Sequence, residues 1–287
     1  MKTRSHEFNL IREKIILNTT VYLDQYPGIK SLILGVSGGA DSALVALAAK
    51  DVCHERKVCN NREIKLIGRS LPIESNADEI SRASGIGQLT CDDFRTLDLE
   101  NAFYHMCDDI ELETDEMKYS HNDKIRFGNI KARVRMIQLY QLAHYHKGIV
   151  LSTDNMSEYM LGFWTIHGDV GDFGMIQNLW KTEVYGVLKS YYNFSKEGSE
   201  RRKVIKSIID AVPTDGLGIT ESDLDQFGDV ESYEELDLIL EEYKKKGVSG
   251  FVKRGGQIPK CLTIYENTHY KRKNPYNILR HELLSRW

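Results

Sequence analysis

The stretch Leu32-Ile33-Leu34-Gly35-Val36-Ser37-Gly38-Gly39-Ala40-Asp41-Ser42-Ala43-Leu44 decides how this chain folds. Leu32 to Val36 is a short apolar run, long enough for a fully buried strand of a parallel sheet, and Ala43 to Lys50 continues in good helix formers. Between them lies Ser37-Gly38-Gly39. Both glycines permit positive φ and carry no Cβ, so backbone N–H groups can approach an anion closely, and the helix N-terminus behind them adds a favourable dipole. The turn therefore reads as a phosphate cradle. Asp41 would repel phosphate unless a divalent cation lay between them, and ligation by one or two carboxylates plus substrate phosphates suits Mg²⁺. The stretch predicts a nucleotide bound with Mg²⁺. A carboxylate that merely caps a helix after a glycine turn is the plainer alternative.

Around this stretch the composition sets bounds. The chain has 287 residues, 41% of them hydrophobic, which suffices for one large α/β domain or a domain with an appendage. A formal net charge of −4 leaves no electrostatic footprint for duplex nucleic acid and favours small-molecule chemistry. No apolar run approaches the length of a membrane span, and Met1 to Glu7 lacks a signal-peptide core, so a cytoplasmic location away from membranes is expected. Cys53, Cys59, Cys91, Cys107 and Cys261 are odd in number and form no Cys-x-x-Cys pair. They read as free thiols, without a disulfide framework or thiolate zinc site.

Before the glycine turn, Phe8, Ile11, Ile15, Tyr22 and Leu23 recur at helical spacing from about Glu7 to Gln25, ended by Pro27-Gly28. After it, Ile64 to Gly68 predicts a second strand and Leu71 to Asn76 a loop at the carboxyl edge of the sheet. Asp92 to Asp123 reads as acidic, irregular and solvated, with a short strand at Thr96-Leu97-Asp98. Phe127 to about His146 predicts a helix whose stripe is Ile130, Val134, Ile137 and Ala143, leaving Arg133 and Arg135 on other faces. Ile149 to Ser152 is the next strand, and Thr153 to Glu158 follow it where open α/β sheets place ligand groups. Glu158 can thus share a crevice with Asp41 as a Mg²⁺ pair, or be an ordinary first-turn helix acid. Gly162 to Asp172 is an aromatic, acidic loop, and helices start at Lys181, Glu200 and Glu231. Pro213 to Asp229 reads as a lid or connector, and Lys253-Arg254 and Thr268 to Lys273 are basic.

Ser37-Gly38-Gly39-Ala40-Asp41-Ser42 is not the Walker pattern and resembles the SGGxDS pyrophosphate loop of N-type ATP pyrophosphatases. Several further pieces then fall in order: Gly128 to Arg133, Thr153 to Glu158 with Gly162-Phe163, Gly168-Asp169 with Asp172, Lys181, Pro213-Thr214 and Lys271-Arg272. Together they resemble the ammonia-dependent NAD⁺ synthetases. That resemblance implies a doubly wound, mostly parallel α/β fold. The core would span about residues 7–212, with a lid and helical substrate-binding extension over about 213–287. It implies ATP phosphates on Gly35, Val36, Ser37, Gly38, Gly39, Ala40, Asp41 and Ser42, further ATP contacts from Thr153, Lys181 and Thr214, and Mg²⁺ on Asp41 and Glu158. Arg133, Asp172 and Lys271 would contact the substrate deamido-NAD⁺, and Asp41, Glu158 and Lys181 would carry the chemistry. The implied reaction adenylates the nicotinate carboxylate and then amidates it with ammonia in a homodimer. With few residues ahead of the glycine turn, no glutaminase domain is expected and free ammonia is the expected donor. Glu74-Ser75-Asn76 and Thr214 to Gly228 are the lid candidates.

Two departures stand out. Thr165-Ile166 replaces the usual Thr-Lys, and Tyr270-Lys271 replaces His-Lys, with His269 one place early. The rival readings are another adenylating pyrophosphatase of the superfamily and a non-catalytic ATP-binding module. Retention of both Asp41 and Glu158 speaks against the second.

Overall fold

The computed structural model describes residues 2–60, 62–110, 120–214, 220, 222–228, 230–247 and 258–284. Its centre is β1 (Ser31–Gly35), paired in parallel with β2 (Lys65–Ser70) on one side and β4 (Gly148–Ser152) on the other. β3 (Asp93–Thr96) extends the sheet beyond β2, and β5 (Phe173–Gly174) extends it beyond β4. The strand order β3-β2-β1-β4-β5 is parallel throughout. The chain moves outward from β1 through α2 (Ala40–Asn60) and α3 (Ala77–Thr90), then returns through α4 (Glu100–Asp109) and α5 (His121–Tyr145) to the other side of β1. Reversal between β1 and β4 opens a crevice at their carboxyl ends, and this is the α/β architecture expected from the sequence.

Every residue of Leu32-Ile33-Leu34 is apolar because both sheet faces are covered. Leu32 and Leu34 join a core with α2, whose residues from Ala43 to Ala49 are all buried, and with α7 (Lys181–Phe194) and α8 (Glu200–Ile209). Ile33 points the other way, onto Leu142, Ala143 and Val150 beneath α5. The N-terminal helix α1 (Lys2–Gln25) packs outside α2 and α7. A second apolar cluster brings α6 (Met156–Leu161), α9 (Tyr233–Lys246) and α10 (Lys260–Asn267) together through Met160, Phe227, Leu236, Leu240 and Leu262.

Several local expectations are corrected. β3 lies three residues before Thr96-Leu97-Asp98 and is polar. Its neighbour Asp92 accepts the Leu66 N–H at 2.8 Å, and its own Asp93 pairs with Arg69 at 2.9 Å, so side-chain polarity hid an edge strand. The acidic stretch after it contains α4, held by Phe103 against Ile73 and Val134. α3, where the sequence offered only a loop up to Asn76, is capped by that Asn, whose side chain accepts from Glu79 N. Ile137 is 56% exposed, since α5 meets the sheet through Leu139, Leu142 and Ala143 instead. Residues 111–119 of the acidic stretch, 215–219, 221 and 229 of the expected lid, and Lys253-Arg254 lie outside the described residues. All five cysteines are free thiols, as expected. Among the described residues no helix is long and apolar enough to cross a membrane.

Candidate active site

The crevice holds a cleft of about 580 Å³ lined by the whole turn from Gly35 to Ser42. Gly38 has φ +84°, and a Cβ there would lie 2.6 Å from Glu79 O and 2.8 Å from Ala83 N, so glycine is demanded both by the turn and by the closeness of α3. Ser37 Oγ and Ser42 Oγ are 2.9 Å apart, and Ser37 N and Gly39 N donate to Ser42 Oγ and Ser37 Oγ. These bonds hold the turn ahead of the first turn of α2, where Asp41 sits.

Three elements converge on Asp41. Asn155, the N-cap of α6, donates its Nδ2 to Asp41 Oδ1 at 2.8 Å while its Oδ1 accepts from Glu158 N at 3.1 Å. Glu158 Oε2 in turn accepts from Asn155 N, which completes a capping box. Lys181, first residue of α7, then places its Nζ 2.5 Å from Asp41 Oδ2 and 3.0 Å from Glu158 Oε1. Its backbone is anchored by Ser157 Oγ, which itself donates to Asp237 Oδ1 on α9, and the Tyr233 ring lies 5.4 Å from Nζ. Burial works against the charge on Lys181, yet Asp41 and Glu158 hold it well above the ordinary lysine value. Burial lifts Glu158 above the usual carboxylate range, with Lys181 opposing and Asp41 adding to the rise.

This donor set is small. Among the described residues no group of three or more His, Cys, Asp or Glu side chains could hold a metal ion by itself. Two carboxylates already converging on one cation, the Lys181 ammonium, fit a hard divalent ion that brings phosphate ligands with it.

The structure divides the remaining expected residues. Thr153, Thr214 and Lys271 line the cleft with the glycine turn, Glu158 and Lys181. Thr214 donates to Glu79 at 3.1 Å, and Lys271 Nζ donates to Gly162 O at 2.8 Å and Trp164 O at 2.6 Å, tying the C-terminal segment to the aromatic loop. Arg133 and Asp172 do not line it. Arg133 is exposed and donates to Ile166 O at 3.2 Å. Asp172 clamps β4 to α5 by accepting from Val150 N and Tyr140 Oη, both at 2.9 Å.

Four residues at the site are not among those the sequence nominates: Arg135, Asp154 and Asp169 line the cleft, and Asn155 stands behind Asp41. Arg133 and Arg135 are two positions apart on a helix, roughly 200° around it, so only one can face the cleft. That one is Arg135, whose Nε donates to Leu71 O at 2.9 Å and whose charge is disfavoured by burial. Asp154 is buried and bonded by Ser152 Oγ at 2.7 Å; burial, reinforced by Asp169, pushes its carboxyl up to about 7. Asp169 lines the cleft and accepts from Thr165 N. Asn155 was legible in principle, because Asn-x-x-Glu before an apolar run is a helix-start signature.

Comparison with known proteins shows the family of the chain. The family model for NAD synthase matches residues 12–275. The NH(3)-dependent NAD(+) synthetase of Thermoplasma volcanium is 29% identical over 251 residues, covering 87% of this chain and 90% of the relative. That of Methanococcoides burtonii is 32% identical over 219 residues, covering 75% and 72%. In fold, the chain is similar to an NMN synthetase from Francisella tularensis (TM-score 0.73, 23% identity, covering 94% of this chain and 98% of the other). It is also similar to an NH3-dependent NAD synthetase from Campylobacter jejuni (TM-score 0.68, 22% identity, 95% and 99%). With a family match running over residues 12–275, the chain belongs to the NAD synthase family.

Proposed function

We propose that this protein is a ligase that uses ATP to amidate deamido-NAD⁺ with ammonia, giving NAD⁺, AMP and pyrophosphate. The observation that carries the reading is the convergence of Asp41, Glu158 and Lys181 beside the glycine turn in one cleft, within a chain of this family. A carboxylate oxygen of the nicotinate attacks the α-phosphorus, the bond to the bridging oxygen breaks, and pyrophosphate leaves into the turn. Ammonia then adds to the acyl carbon, AMP departs with the phosphate-linked oxygen, and the nitrogen loses a proton to become the amide.

The backbone N–H groups of the turn and the N-terminus of α2 receive the pyrophosphate, and Lys181 adds positive charge where negative charge grows. Thr153 and Thr214 help hold ATP. Mg²⁺, held by Asp41 and Glu158, would supply charge neutralisation at the departing group when bound. The acyl-adenylate must be kept from water, and the segment from Thr214 to Gly228 with the loop at Glu74 to Asn76 serves as the cover. Arg133, Asp172 and Lys271 belong to the deamido-NAD⁺ side. The exposure of Arg133, and of Ile137 (56%) and Tyr145 (73%) on the same helix, supports a homodimer in which a second copy covers that side. We place the enzyme in the cytoplasm.

Incubation with deamido-NAD⁺, ATP, Mg²⁺ and ammonium is expected to yield NAD⁺, AMP and pyrophosphate in equal amounts. Release of ADP would overturn the assignment. Asp41→Ala and Glu158→Ala are each expected to abolish turnover without unfolding the protein. Glutamine is not expected to replace ammonium.

A further inference from the structure

We propose that Lys181 is the resident counterion of the Asp41–Glu158 pair, so that a divalent cation enters this pair only with a nucleotide that draws the ammonium away. The proposal rests on the reading of these two carboxylates as the metal ligands.

Each of the four carboxylate oxygens already accepts a hydrogen bond. Asp41 Oδ1 accepts from Asn155 Nδ2 and Glu158 Oε2 from Asn155 N, while Asp41 Oδ2 and Glu158 Oε1 accept from Lys181 Nζ at 2.5 and 3.0 Å. The two that face each other across a common cation are those held by Lys181. An ion ligated by both carboxylates where they converge meets the ammonium already seated between them.

Charge decides which partner wins. One ammonium against two carboxylates leaves at most one net negative charge in a site where Lys181 is only 4% exposed. Adding a divalent ion alone would set three positive charges against at most two negative ones within a few ångströms, with little water to screen the repulsion. A triphosphate in the glycine turn changes this, because it offers the ammonium another anion. The backbone of Lys181 stays fixed by Ser157 Oγ at 2.9 Å, but its four-carbon stem is free to re-aim the head group. Metal and nucleotide are thereby coupled: each makes room for the other.

The test uses Mn²⁺ as the probe on the purified protein, by calorimetry and by the electron-spin signal of free manganese, without nucleotide. Lys181→Met, which removes the ammonium and keeps the stem, is expected to bind Mn²⁺ at least about tenfold more tightly than wild type. Equal affinities overturn the proposal. Because Lys181→Met leaves two half-buried carboxylates without their cation and risks misfolding, wild type set beside Asp41→Asn gives a second reading. Mn²⁺ alone is expected to leave its Tm unchanged, whereas Mn²⁺ with α,β-methylene-ATP raises it beyond the sum of the separate effects, an excess lost in Asp41→Asn. A rise with Mn²⁺ alone that Asp41→Asn abolishes removes the role of Lys181 and leaves the metal pair standing. No excess dependent on Asp41 in any arm takes away the metal pair itself, and the counterion role with it.

Discussion

Asn155 reaches Asp41 across the switch point of the sheet: its Nδ2 lies 2.8 Å from Asp41 Oδ1, and the two residues sit at the N-termini of different helices, α6 and α2. One side chain therefore sets both the first turn of α6 and the aim of the carboxylate beside the glycine turn. Asn155→Ala removes both effects. The lost cap costs about 1 kcal/mol of stability, read as a lower urea midpoint. A fall in kcat/KM of about tenfold or more is expected on top, since Asp41 loses a fixed donor. If stability falls and kinetics do not, the bond is only structural.

Gly38→Ala and Gly39→Ala make a matched pair. At Gly38 a methyl meets two backbone atoms of α3 under 3.0 Å at φ +84°, whereas at Gly39 its nearest neighbour is Ser37 Oγ at 3.4 Å. Gly38→Ala is expected to destabilise by about 2 kcal/mol or more, combining left-handed strain with displacement of α3. Gly39→Ala should stay within about 1 kcal/mol by the same reasoning. Both are compared by denaturant unfolding and by ATP binding.

Asp154 makes stability depend on pH. Burial pushes its folded-state carboxyl up to about 7, from 3.8 for a free aspartate. Between these values the folded protein holds the proton more tightly than the unfolded chain, so this contribution is complete below about 4 and is lost as pH rises to about 7. Asp154→Asn removes the titration. Its stability relative to wild type should therefore climb between pH 4 and 7 by a few kcal/mol at most, measured by urea unfolding at several pH values. A flat difference would assign the carboxyl an ordinary acidity.

Asp172 separates a structural from a substrate role. Asp172 does not itself line the cleft, although its donors Val150 and Tyr140 do, and losing these two bonds should cost about 1–3 kcal/mol in Asp172→Ala. A raised KM for deamido-NAD⁺ with unchanged stability would instead show that the clamp matters little and the substrate contact dominates.

Lys271→Met tests the tie between the C-terminal segment and the aromatic loop. Gly162 O and Trp164 O would lose their common donor, and the loop carrying Thr165 and Asp169 would be held less firmly. The expected result is a KM for the acid substrate raised several-fold with kcat changed less, in steady-state kinetics at saturating ATP.

How much of this was readable beforehand follows from the range of the forces involved. The strand, turn and helix around Ser37 to Ser42 depend on neighbours in the chain, on apolar runs and on glycine, and these were legible. The edge strand at Asp93 was not, because its polarity is resolved by Arg69, a partner 24 residues away. Nor was the choice between Arg133 and Arg135: helix periodicity says that only one faces inward, and the packing of α5 on β1 and β4 selects Arg135.

By itself, then, the sequence determined an α/β chain built on a glycine-rich strand-to-helix turn, with a carboxylate in the first turn of the following helix and another just after a later strand. Those are local facts of pattern and composition. Only the tertiary structure decided that Asp41, Glu158 and Lys181, spread over 140 positions of chain, share one ammonium, and that Asn155 joins them. The reason is topological. Reversal of the sheet between β1 and β4 brings three helix N-termini to one place, and the energy of such a cluster depends on burial and on partners that no local stretch contains.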